Sequence, residues 1–113
     1  MKRQRATRYY SSRQEKAVAK AIGGRTIVNS GATPFQKGDV ATNDFSIECK
    51  TKTTRVSSHS IKKEWIDKQK IEALSMGKSN WALAFNYGPN EENYYIISEK
   101  MFGKLIEYMS QEE

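Results

Sequence analysis

Apolar and polar positions along the chain follow two periods, one helical and one alternating. Val18, Ala19 and Ile22 fall on one stripe at helical spacing. Ser11 or Ser12 stands ahead of them as a cap, so a helix is expected from there to about Ile22, ended by Gly23-Gly24. Arg25 to Asn29 contains Thr-Ile-Val and reads as a short strand. Ser30 to Gly38 carries Gly31, Pro34 and Gly38 and reads as a loop. Asp39 to Thr42 and Phe45 to Lys50 alternate, and Asn43-Asp44 between them suits a two-residue hairpin turn. After a polar, Ser/Thr-rich loop, Ser60 is expected to cap a helix from Ile61 to about Met76, stopped by Gly77. Trp81 to Tyr87 and Asn93 to Ile97 read as strands around a Gly88-Pro89-Asn90 turn, and Ser98 caps a last helix to about Met109. The order αβββαββα predicts an α/β domain with a central mixed sheet flanked by helices.

The hairpin can be read in register. With Asn43-Asp44 as its loop, Thr42 faces Phe45, Ala41 faces Ser46, Val40 faces Ile47 and Asp39 faces Glu48. Val40, Thr42, Phe45, Ile47 and Cys49 then share a mostly apolar face, and Asp39, Ala41, Ser46, Glu48 and Lys50 share the other. Two carboxylates opposite one another sit roughly 5 Å apart at their β-carbons. At an effective dielectric of ~20 they repel by about 3 kcal/mol. Lys50 offsets part of this, and a divalent cation would offset more. The alternative is a surface hairpin whose charges are screened by water and salt. Glu15 lies on the stripe of Val18, Ala19 and Ile22 and looks inward. It is either a carboxylate in need of a partner or metal, or a first-turn glutamate favoured by the helix dipole.

Composition narrows the class. The 113 residues suit one domain, with residues 1–10 as a loose basic arm and 11–113 as the folded unit. Hydrophobic content of 37% with 28% charge reads as globular. No apolar run approaches the roughly 20 residues that span a bilayer, so no membrane partner is expected. The basic start lacks a following apolar stretch, which argues against a secretory signal. The lone Cys49 forms no internal disulfide or cysteine-rich zinc site, and a reducing, cytoplasmic setting is expected. Net charge is +6, which favours a polyanion, nucleic acid first. Lys2, Arg3, Arg5, Arg8 and Arg13 precede the first acid, and Lys62, Lys63, Lys68 and Lys70 form a second cluster. Either cluster could equally be a solvated face.

Taken together, Ser30-Gly31-Ala32, Gly38-Asp39-Val40 and Ile47-Glu48-Cys49-Lys50 resemble the signature of the PD-(D/E)xK nucleases. Glu15 on a preceding helix matches the extended form of that signature. Within the superfamily the chain is similar to the small Holliday-junction resolvases of archaea and phages, in size, basic start and Ser-Gly loop. The likeness covers roughly residues 8–86 by element order, and Gly38 stands where the namesake proline would. It implies a restriction-endonuclease-like core. It also implies that Asp39, Glu48 and the Cys49 backbone carbonyl bind Mg²⁺, or Mn²⁺ in its place, as one or two ions. Glu15 would hold a second ion or a metal-held water, and Lys50 would orient the nucleophile and stabilise charge on phosphorus. The implied reaction is in-line hydrolysis of a DNA phosphodiester, leaving 5′-phosphate and 3′-hydroxyl ends.

Other residues are read around that centre. Ser30 is a phosphate contact or a turn residue. Gln69 interrupts the apolar series Ile61, Trp65, Ala73, as a polar residue near the site or at a boundary. Lys62, Lys63 and Lys70 would bind phosphates, and Arg3, Arg5 and Arg8 would grip a backbone or groove. Tyr9 and Tyr10 would stack on exposed bases or pack on the domain. His59, the only histidine, is an ordinary loop residue. The last helix offers Met101, Phe102, Leu105, Ile106 and Met109 as core or as a homodimer surface, which a junction-cutting enzyme needs for its two symmetric cuts. Nicking, restriction-like and repair endonucleases share the expected catalytic core. A basic DNA-binding module without catalysis is the reading from another class.

Overall fold

The computed structural model of the chain describes residues 7–27 and 39–111. Its elements are α1 (Thr7–Ile22), β1 (Arg25–Thr26), β2 (Val40–Ala41), β3 (Phe45–Lys50), α2 (Lys63–Ser75), β4 (Asn80–Phe85), β5 (Tyr94–Ile96) and α3 (Glu99–Gln111). This is the expected order. The five strands form one sheet in sequence order, antiparallel except for the parallel pair β3 and β4. A parallel pair needs a long crossover, and α2 provides it.

The hairpin has the expected register, with Val40 opposite Ile47 and Ala41 opposite Ser46. Its turn is closed by Thr42, whose Oγ1 accepts from the Asp44 N–H (3.3 Å) and the Phe45 N–H (3.0 Å). Alternation along β3 then sorts side chains to two faces. Ile47 joins Val18, Ala19, Val40, Ala82 and Ala84 in a core under α1, with Phe45, Cys49 and Ile97 at its margin. Ser46 faces the other way, where the buried Gln69 of α2 donates to its carbonyl oxygen (2.7 Å) and to its hydroxyl (3.2 Å). The sheet is therefore covered by α1 on one face and α2 on the other.

Three details differ from the sequence reading, and one segment of it lies outside the described residues. Thr7–Tyr10, expected in the basic arm, are the first turn of α1; a mixed polar and aromatic start carries no apolar period to announce a helix. Ser60 does not cap α2. The N-cap is Lys62, extended at φ −77° and ψ 134°, without a side-chain cap bond. The expected strand ends at Asn29 and the Ser30–Gly38 loop lie outside the described residues. The apolar stripe of α3 does not enter the core: no α3 residue is buried, and Phe102, Ile106 and Met109 are each about half exposed. The cap at Ser98 does form, its Oγ accepting from the Met101 N–H at 3.0 Å. Gly23, with φ +68°, ends α1 in the left-handed conformation that glycine adopts without strain.

Candidate active site

Asp39 stands where β2 begins, beside the C-terminal half of β3. Its N–H donates to the Ile47 carbonyl oxygen (2.9 Å), although Ile47 is paired with Val40. Asp39 and Val40 thus share one opposite number, the arrangement of a β-bulge, which re-aims a side chain at a strand end. The Asp39 carboxylate turns to accept the Cys49 N–H at Oδ2 (2.8 Å). The expected direct opposition of Asp39 and Glu48 across a regular ladder is corrected accordingly, because the ladder gives way at the bulge. The two charges still act on each other.

That interaction is visible in the electrostatics. Burial above all, then the Asp39 charge and the nearby Glu72, push the Glu48 carboxyl from its ordinary 4.5 up to about 7, against Lys50 and Lys68. Asp39 is also raised by burial, opposed by its bond from Cys49 and by the charges of Lys50 and Arg8. Glu15, buried on α1 as expected, is raised by burial and by Asp39, with Arg8 pulling the other way. Three carboxyls thus resist ionisation together, chiefly because each is withdrawn from water, with the Asp39 charge adding to the effect at Glu15 and Glu48. Burial and the same carboxylates drive the Cys49 thiol upward, leaving it a poor nucleophile.

Lys50 is the nearest cation. Its Nζ is 3.8 Å from Glu48 Oε1 and 4.5 Å from the centre of the Trp65 ring. The indole and the carboxylate hold the ammonium on the α2 side of the sheet. There a cleft of about 440 Å³ is lined by Glu48, Lys50, Glu64, Trp65, Lys68, Gln69 and Glu72. The Gln69 amide is committed to Ser46 through nitrogen, while its Oε1 is buried without a partner among the described residues. Gln69 forms the cleft wall, being only 1% exposed.

The remaining expected contacts are scattered. Arg8 lies two helical turns before Glu15 on α1, and its charge acts on Glu15 and Asp39. Lys62 reaches to 5.9 Å from the Trp65 ring, and Lys70 to 5.9 Å from the Trp81 ring. Lys63 pairs with Asp67 at 2.8 Å. Arg3, Arg5 and Ser30 lie outside the described residues. His59 is structural: its Nδ1–H donates to the Asn86 carbonyl oxygen (2.6 Å), and its ring meets Phe85 edge-on.

Three participants escaped the sequence reading. Glu72 is 8% exposed beside Glu48. It lies three residues after Gln69, so the spacing that marked Gln69 also marks it. Trp65 was assigned to an apolar face, and nothing local announced its contact with Lys50. Gln14 is buried, and its Nε2 donates to the carbonyl oxygens of Lys50 (2.9 Å) and Ala84 (3.4 Å) and to Asn93 Oδ1 (3.1 Å). Those bonds tie α1 to the ends of β3 and β4 and thereby hold the neighbouring Glu15 over the site.

The donor set suits a hard divalent cation, with carboxylate and carbonyl oxygens and no imidazole. Among the described residues, no three His, Cys, Asp or Glu side chains converge closely enough to ligate an ion by themselves. A site of Asp39, Glu48 and the Cys49 carbonyl uses two side chains and one backbone oxygen, as Mg²⁺ does when it keeps several waters. No described helix is long and apolar enough to cross a membrane. Comparison with known proteins finds no matching family model, no similar curated protein and no similar solved structure.

Proposed function

We propose that this chain is a metal-dependent DNA endonuclease of the PD-(D/E)xK kind, built on a restriction-endonuclease-like core. The observation that carries the reading is the half-buried pair Asp39 and Glu48, both resisting ionisation, with Lys50 3.8 Å from Glu48. A purely structural hairpin gains nothing from such a pair, whereas a cation-binding centre requires uncompensated charge. Asp39, Glu48 and the Cys49 carbonyl would hold Mg²⁺ or Mn²⁺, with Glu15 behind them. The bound ion would acidify water and neutralise charge at the scissile phosphate.

The chain's own groups do the positioning. Lys50, steadied by Trp65, presents an ammonium to a phosphate oxygen and stabilises the charge that grows there. Lys62 and Lys70, on the α2 side, supply sequence-independent phosphate contacts, as do the basic residues at the start of the chain. A small domain with net charge +6 fits recognition of the DNA backbone and its shape, and a four-way junction cut by two copies is the substrate we favour. Cleavage of labelled four-way junction and matching linear duplex, in Mg²⁺ and in EDTA, tests this alongside Asp39→Asn. Paired Mg²⁺-dependent cuts near the branch, lost in the variant, are expected. Equal cutting of linear duplex would remove the junction specificity and leave a nicking, restriction-like or repair endonuclease.

One observation favours a second reading, a basic DNA-binding module without catalysis. No three metal-ligating side chains converge among the described residues. Tight junction binding without cleavage in Mg²⁺ or Mn²⁺ would put this reading first.

A further inference from the structure

Two apolar surfaces of the chain have no partner among the described residues. One is the stripe on α3. Phe102 (55%), Leu105 (44%), Ile106 (49%) and Met109 (58%) recur at helical spacing and stay exposed, and α3 buries no residue. Lys100, Lys104 and Glu107 fall on the rest of the helix surface, so beyond Glu99 at its start the stripe is uncharged. The other is a groove of about 410 Å³ on the α1 face of the sheet, lined by Ile22, Phe45, Ile47, Ala82, Tyr95 and Ile97. The groove exists because α1 stops at Ile22 and packs over β1, β2 and β3, while β4 offers only the small Ala82 beyond it. On this face α1 packs over β1, β2 and β3, and the part over β4 and β5 lacks a helix.

We propose that α3 of one copy seats in this groove on a second copy, and reciprocally, so that the chain forms a helix-exchanged homodimer. The missing cover and the uncovered helix belong to the same sequence and share one chemistry, apolar against apolar. The direction of α3 favours a second copy over its own sheet. Only Ile97 and Ser98 separate β5 from α3, and Ser98 caps the helix through its Oγ to the Met101 N–H (3.0 Å) and its carbonyl to the Phe102 N–H (2.9 Å). These bonds fix the start of α3 beside Ile97 at the groove's rim, and beyond it the helix buries no residue against its own sheet. A stable interface of standard size takes roughly 800 Å² from each partner, and reciprocal seating has each copy supply both a helix and a groove. The proposal gives the homodimer of the preceding reading a surface but stands on the two apolar faces alone. Its test reads mass rather than cleavage, so either can fail without the other.

Sedimentation of the full chain at high micromolar concentration should give twice the 12.9 kDa chain mass. Leu105→Asp should halve that mass with an unchanged far-UV spectrum, since Leu105 is exposed and α3 buries no residue within one copy. Disulfide trapping fixes the geometry, in a Cys49→Ser background because Cys49 is only half-buried. Mixing a Leu105→Cys chain with a Thr42→Cys chain, Thr42 also lining the groove, should join unlike chains preferentially. A single-chain mass for the native protein would overturn the proposal. So would persistence of the dimer in Leu105→Asp, trapping mainly between two Leu105→Cys chains, or an intramolecular link when both cysteines share one chain.

Discussion

The backbone N–H of Cys49 donates to Asp39 Oδ2 at 2.8 Å, so one carboxylate both closes a strand end and faces the candidate site. An amide oxygen can accept the same bond without the charge. Asp39→Asn should therefore leave the urea midpoint in EDTA unchanged or raised, because repulsion of Glu48 is relieved, while Mg²⁺-dependent cleavage falls more than ~10²-fold. Asp39→Ala removes the acceptor as well and should cost about 1–2 kcal/mol. Equal destabilisation by both variants would contradict this division of roles.

Glu48 makes the metal-free protein sensitive to pH. A carboxyl raised from 4.5 to about 7 binds its proton more tightly when folded. Its contribution to stability is complete below pH 4.5 and is lost as pH rises through 7, and Asp39 and Glu15 act in the same direction. With allowance for its partial exposure, the loss from Glu48 is on the order of 2 kcal/mol. Urea denaturation in EDTA at pH 5 and pH 8 should show that loss, and Glu48→Gln should flatten it. A native protein more stable at pH 8 than at pH 5 would refute the assignment.

Trp65 holds Lys50, whose ammonium lies 4.5 Å from its ring centre, and on the proposed reading acts through that lysine. Trp65→Ala should lower kcat about 10-fold through loss of that placement, with junction affinity little changed. Trp65→Phe retains an aromatic face and should recover part of the rate. A change confined to KM would instead make Trp65 a DNA contact.

Gln69 combines two satisfied donor contacts with an orphaned oxygen. Gln69→Ala opens a cavity and unpairs Ser46, at about 3 kcal/mol by urea denaturation. Gln69→Leu fills the volume and deletes the orphan, and should cost only about 1 kcal/mol. The reverse ranking would mean that Oε1 has a bound partner, such as an ordered water.

What the sequence disclosed, and what it withheld, follows from the range of each interaction. The hairpin was legible because strict alternation from Val40 to Cys49 admits only one register with Ile47 inside. The inward turn of Glu15 was legible from its place on the stripe of Val18 and Ile22. The bulge at Asp39 was not, since it depends on a bond from Cys49, ten residues away. Gln14 was equally hidden, because all its partners lie on β3, β4 and beyond. The stripe on α3 was read correctly as apolar, but periodicity names a face and not what covers it.

The β3–α2–β4 unit spans residues 45–85 without interruption and contains Glu48, Lys50, Trp65 and Gln69. It can assemble from one stretch of chain, whereas Glu15 arrives only when α1 docks from outside that stretch. If the contiguous unit forms first, the last of the like charges joins the others only after the scaffold able to bear their repulsion exists. On that order of events, neutralising the latecomer with Glu15→Gln should slow unfolding and leave the refolding rate nearly unchanged. The cost of crowding the carboxylates would then fall on how long the native state lasts and not on how quickly it forms.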